Sequence, residues 1–123
     1  MTVPTRRKLP DERQSITHKF DIEGYEGWIT IGLYEDGSPG EIFLTLSKVG
    51  STLSGLVDAF AQALTLALQY GVPLEMLAKE FEGVNFKPSG ETKTPDIRFT
   101  KSIVDYLVRY LKLRFLPVST TTT

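Results

Sequence analysis

Residues 50–75 read GSTLSGLVDAFAQALTLALQYGVPLE, and this stretch decides the fold. Leu53, Leu56, Val57, Phe60, Leu64, Ala67 and Leu68 recur at helical spacing and predict one long helix with an apolar stripe. Ser51 is the expected N-cap. Gly71 ends the helix, and Pro73 suits the first turn of a second one, with Leu74, Leu77 and Phe81 inward. Gly55, Ala59 and Ala63 repeat at four-residue spacing, so another backbone is expected close by, in helix-on-sheet or helix-on-helix packing. Almost no side chain in the stretch does chemistry, which points to a packing or docking element.

Asp58, Gln62 and Gln69 argue against a membrane span, since one aspartate near a bilayer centre costs about 2.5–3.5 kcal/mol. A mostly buried helix of a soluble domain is the expectation. Upstream, three segments alternate with period two. These are Ile16-His18-Phe20-Ile22, Ile29-Ile31-Leu33 and Ile42-Leu44-Leu46. Glycine-bearing connections at 23–27 and 35–40 suit hairpins and predict a meander. Downstream, residues 83–95 read as a polar loop, and a third helix is expected from about Thr100 to Phe115. Ile103, Leu107, Tyr110 and Leu111 lie on one of its faces. The predicted fold class is α+β, a three-stranded antiparallel meander packed against a long central helix and two further helices.

The chain has 123 residues, enough for one core. Residues 1–14 look like a linker, 15–116 like the domain, and 117–123 (PVSTTTT) like a disordered Thr-rich tail. Both ends are either attachment points or frayed termini. The net charge of -1 supplies no field for nucleic acid or an anionic membrane. With no cysteine, the chain itself has no disulfide, thiolate nucleophile, zinc–thiolate site, iron–sulfur cluster or thiyl radical. The polar N-terminus carries no secretory signal pattern, so a cytoplasmic location is expected.

Candidate functional residues are few. His18, the only histidine, sits on the apolar register of the first strand with no companion ligand, and a hydrogen-bonded structural role is expected. Asp58 and Asp105 lie on different helices and form no evident acid–base pair. No catalytic residue and no metal ligand is assigned. Lys48, Ser51 and Thr52 flank a helix start where an anion such as a phosphate would find N–H donors, although the P-loop spacing is absent. An ordinary helix cap is the competing reading. Trp28, Tyr34 and Phe43 fall on the sheet face opposite the aliphatic row. Either they form an exposed interface patch, or the 83–99 segment with Phe86 and Phe99 folds over them.

RRKLPDERQSITHKF at 6–20, the run from Gly32 to Glu75, FKPSG at 86–90 and KSIVDYLVRYL at 101–111 together resemble one family. They are similar to the C-terminal accessory region of adenosylcobalamin-dependent, class II ribonucleotide reductases, over about residues 6–116. The resemblance implies a parent enzyme whose separate barrel holds the cobalamin, the ribonucleotide and the redox cysteines. None of those cysteines maps here. The region also resembles a domain family named for a Thr-Ser-Cys-Pro-Asp motif. The corresponding place is Lys93-Thr94-Pro95-Asp96, where the cysteine is missing.

The expected function is therefore a non-catalytic accessory or docking domain. It binds no cofactor itself, and adenosylcobalamin is implied for the parent enzyme. The expected partner is the catalytic barrel, in the same or a separate chain, with a homodimer possible and neither nucleic acid nor membrane involved. The alternative is a small regulatory module that binds a nucleotide phosphate or another anion at Lys48–Thr52.

Overall fold

The three alternating stretches form strands β1 (Ser15–Ile22), β2 (Tyr25–Leu33) and β3 (Pro39–Leu46), paired antiparallel as expected. Helices α1 (Ser51–Gln69) and α2 (Leu74–Phe81) follow, then strands β4 (Gly90–Thr94) and β5 (Ile97–Thr100), then α3 (Ile103–Phe115). The structure is a computed structural model that describes residues 4–48 and 50–116, without the side chain of Ser51. The expected tail at 117–123 lies outside the described residues.

The sheet has five strands in the order β3-β2-β1-β4-β5, so the fold is α+β with the predicted meander at its centre. The polar loop expected at 83–95 is in fact partly strand. Its second half is β4, which meets β1 at Thr92 opposite Ile22 and folds onto β5. That pairing takes Thr100 into β5, opposite Gly90, and delays the third helix to Ile103. Ser102 then caps it, with Oγ accepting from the Asp105 N–H at 2.9 Å.

The β1–β2 connection is tighter than the 23–27 segment suggested. Ile22 already pairs with Tyr25, and Glu23 and Gly24 turn the chain with φ of 49° and 87°. Two positive φ values in a two-residue loop match the right-handed twist of the flanking strands.

Inner-face residues Phe20, Ile22, Ile29, Ile31, Ile42 and Leu44 share one core with Val57, Ala61 and Leu64 of α1, Leu77 of α2, and Ile103, Tyr106, Leu107 and Leu111 of α3. All three helices therefore cover the same face of the sheet. α1 also closes the free edge of β3. Thr65 Oγ1 accepts the Ile42 N–H at 2.8 Å and donates to the Ile42 carbonyl at 3.2 Å, and Gln69 Nε2 donates to the Gly40 carbonyl at 2.8 Å.

Gly71, at φ 93°, ends α1 as expected. The Val72 N–H bonds the Ala67 carbonyl and the Gly71 N–H bonds the Leu68 carbonyl, which satisfies the last turn. Three details of α1 differ from the sequence reading. Gly50, not Ser51, is the N-cap, and no side chain caps it. Leu56 leaves the inward stripe and is 64% exposed. Gly55, Ala59 and Ala63 face outward instead of packing on the sheet. The reason is angular: at 100° per residue these positions lie far from the buried Val57-Ala61-Leu64 line.

Residues 6–14 lie against the domain. The Arg7 N–H donates to the Gln69 carbonyl and the Leu33 N–H to the Gln14 carbonyl, both at 2.9 Å. Arg6 Nε bonds Gln69 Oε1 at 2.6 Å, and Arg13 holds Glu41 through Nε at 2.6 Å and Nη2 at 3.1 Å. Leu9 reaches the backbone of Gly40.

Candidate functional site

The pleat places Thr17 and Lys19 of β1, Trp28 and Thr30 of β2, and Phe43 and Thr45 of β3 on the face away from the helices. Thr30 pairs with Phe43, Trp28 with Thr45 and Lys19 with Trp28. Trp28 and Phe43 are thus diagonal neighbours on adjacent strands, close enough for their rings to share one patch. Phe43 is 50% exposed and Trp28 half-buried. Ion pairs bound the patch: Lys19 meets Glu26 at 2.8 Å at one end, and Arg13 meets Glu41 at the other. Lys19 Nζ also sits 5.8 Å from the Trp28 ring centre. The β4–β5 hairpin extends the sheet beyond β1 and leaves this patch open, with Phe99 itself exposed.

Tyr34 is not part of the patch. It follows an irregularity at Gly32/Leu33 and is 7% exposed. The Arg7 guanidinium lies 3.8 Å over its ring, and its hydroxyl donates to the Arg7 carbonyl at 2.5 Å. The expected aromatic trio is therefore a pair, and Tyr34 anchors the N-terminal segment instead.

His18 takes a hydrogen-bonded position within the fold. Its Nε2 lies 2.7 Å from the Tyr106 hydroxyl, and its ring stacks on Tyr110 at 4.1 Å between centroids. Thr94 Oγ1 meets the same Tyr106 hydroxyl at 2.5 Å. Thr94 belongs to Lys93-Thr94-Pro95-Asp96, so the motif position borders this cluster from the β4–β5 turn. Burial, with help from the positive charge of Arg114, pushes the His18 pKa down. Burial likewise pushes the Tyr106 and Tyr110 hydroxyls up, so the cluster is neutral at pH 7.

Asp105 is almost fully buried at the first turn of α3. It accepts the Gly83 N–H at 2.7 Å, the Lys101 N–H at 3.0 Å and the Thr100 hydroxyl at 3.0 Å, and pairs with Arg109 at 3.2 Å. Burial pushes its carboxyl up, but the four donors outweigh it and the net shift is downward. The group ties the 83–86 segment and β5 to α3, which is structural work. The sequence signal for it was Ser102 three residues ahead, a capping spacing. Asp58 is exposed and, among the described residues, accepts from Gln62.

Of the expected anion-binding trio at the helix start, the Ser51 side chain lies outside the described residues. Lys48 is exposed with φ 53°, Thr52 is exposed, and among the described residues no side chain caps the helix start at Gly50. Among the described residues no group of three or more His, Cys, Asp or Glu side chains is placed to hold a metal. The residues present do not fit adenosylcobalamin either. The one histidine is bonded to Tyr106, and a groove of about 520 Å³ lined by Glu12, Arg13, Leu33, Tyr34 and Glu35 lies open at the surface.

A family model described as "TSCPD domain" matches residues 2–115. The chain is 52% identical over 113 residues to the vitamin B12-dependent ribonucleotide reductase of Rhodopirellula baltica, covering 92% of this chain and 11% of that protein. It is 49% identical over 117 residues to the enzyme of the same name from Streptomyces avermitilis, covering 95% and 12%. With that of Bradyrhizobium diazoefficiens it shares 38% over 112 residues, covering 90% and 9%. The chain thus spans a small fraction of the length of these relatives. No solved structure matches it.

Proposed function

This chain belongs to the TSCPD domain family, and from that premise we propose that it is the accessory docking domain of a vitamin B12-dependent ribonucleotide reductase in the cytoplasm. It serves deoxyribonucleotide synthesis by packing against the catalytic barrel, with the 15–116 unit as the docking body and the 6–14 segment clasped to it. The barrel supplies the cobalamin, the substrate pocket and the redox thiols, since this chain has no cysteine.

One observation supports the reading: a sheet whose described helices back one face, with Trp28 and Phe43 diagonal neighbours on the other. Two rings set among threonine side chains and rimmed by ion pairs have the make-up of an interface anchor with a polar rim. The patch lies on hydrogen-bonded strands packed against the helices, so little ordering opposes docking.

The test is calorimetric titration of the cognate barrel, expressed without this domain, with the 123-residue chain. Binding is expected, and Phe43→Ser should weaken it about 30-fold, the loss typical of one anchor residue. Lys48→Ala should leave it unchanged. Absence of binding, combined with unchanged turnover of the domain-deleted reductase, would overturn the proposal.

A further inference from the structure

A second exposed surface lies on α1, away from the open sheet face. Leu56, Ala59, Ala63, Leu66 and Tyr70 are all exposed. Leu66 is 42% and Tyr70 43% exposed. Their spacing alternates three and four residues, so they form one narrow seam of the kind that closes helix pairs. The seam lies opposite the buried Val57-Ala61-Leu64 line. It differs from the inward stripe and takes no part in the core.

We infer that α1 pairs antiparallel with α1 of a second copy of this chain, closing this seam around a two-fold axis at the level of Ala61. The spacing is its own complement under that operation. Ala59 comes opposite Ala63, Leu56 opposite Leu66, and Thr52 opposite Tyr70. Small residues meet at the centre, so the two axes can approach to about 8 Å. Large residues meet at the ends, where crossing helices diverge. A two-fold interface must be self-complementary in this way.

Charge permits the same pairing. Asp58 is the single charged side chain of α1, and it sits off the seam, in a groove against Leu44, Thr45 and Leu46 of β3. Closing the seam therefore buries no charge and opposes none. The 19 residues of α1 give a seam about 28 Å long. A seam of one helix per copy is below the roughly 800 Å² per partner of standard interfaces. The dimer should accordingly dissociate on dilution.

The experiment is sedimentation equilibrium of the 123-residue chain across a dilution series. A monomer–dimer equilibrium is expected. Ala63→Glu should weaken it at least 100-fold while the far-ultraviolet circular dichroism stays native, because the position is exposed. Phe43→Ser, on the open sheet face, should leave it unchanged. Orientation is read by oxidation, on a background free of native cysteine. A mixture of Ala59→Cys and Ala63→Cys chains should cross-link faster than either alone. A monomer at every concentration would overturn the inference, as would a dimer unaffected by Ala63→Glu or faster cross-linking of Ala59→Cys to itself. The first of these results, together with loss of barrel binding in Ala63→Glu, would assign the seam to the barrel instead.

Discussion

His18 illustrates how one residue acquires a measurable role without doing catalysis. Its imidazole is stacked on Tyr110, bonded to Tyr106 and within the field of Arg114, so the folded state favours the neutral form. The unfolded chain takes up the proton near the ordinary pH of about 6.5. The contribution to stability is therefore complete above that pH and is lost as pH falls below it. The thermal midpoint should drop between pH 7 and 5.5, with a slope below about 1.4 kcal/mol per pH unit, the limit for one proton. His18→Gln should flatten that stretch of the profile, and an identical profile in the variant would refute this account. At this scale the sequence was partly legible. The apolar register of His18 pointed to a bonded structural role, but Tyr106 reaches it from 88 residues downstream and Thr94, 76 residues downstream, bonds Tyr106 in turn, and no local pattern announces such partners.

Among the elements, α1 and β3 show what holds a free sheet edge in a small domain. An exposed edge strand invites pairing with another chain, and a covering helix blocks it. Here the cover is specific, because the Thr65 hydroxyl both accepts and donates at Ile42. Thr65→Val removes both bonds while keeping the shape. It should cost about 1–2 kcal/mol in urea denaturation, and Thr65→Ser should recover most of that. An unchanged midpoint in Thr65→Val would show that water serves the edge equally well. The meander was legible because Ile29-Ile31 and Ile42-Leu44 alternate cleanly. β4 and β5 were not, because GETKT and IRFT are short and bring only one buried aliphatic side chain, Ile97. The direction of Leu56 was misjudged for a different reason. A helix apolar on two sides does not say from sequence which side is the core.

Taken whole, the molecule is a one-sided sheet tied at its N-terminal flank by a polar segment. RRKLPDER contains a single large apolar residue, Leu9, so hydropathy alone made it a linker. What places it is Arg7 over Tyr34, Arg13 on Glu41 and Arg6 on Gln69, contacts that depend on three separate elements. Removing residues 1–13 should uncover Tyr34 and lower the thermal midpoint by roughly 5–10 °C, measured by calorimetry. A chain that melts unchanged without them would mean the segment rests on the domain and adds nothing to its stability. The family assignment was legible because it rests on long ordered runs. The aromatic pattern itself was legible, and the fold separated Tyr34 from Trp28 and Phe43.

The same open face makes the protein its own optical probe. Trp28 is the single tryptophan of the chain, half-buried beside Phe43 with the Lys19 ammonium over its ring. Its fluorescence originates entirely from that patch. Whatever covers the face changes the solvent and the charge around one indole, and nothing else in the molecule emits in the same band. Covering of the face by a partner without tryptophan would therefore read out as an emission shift in unlabelled protein.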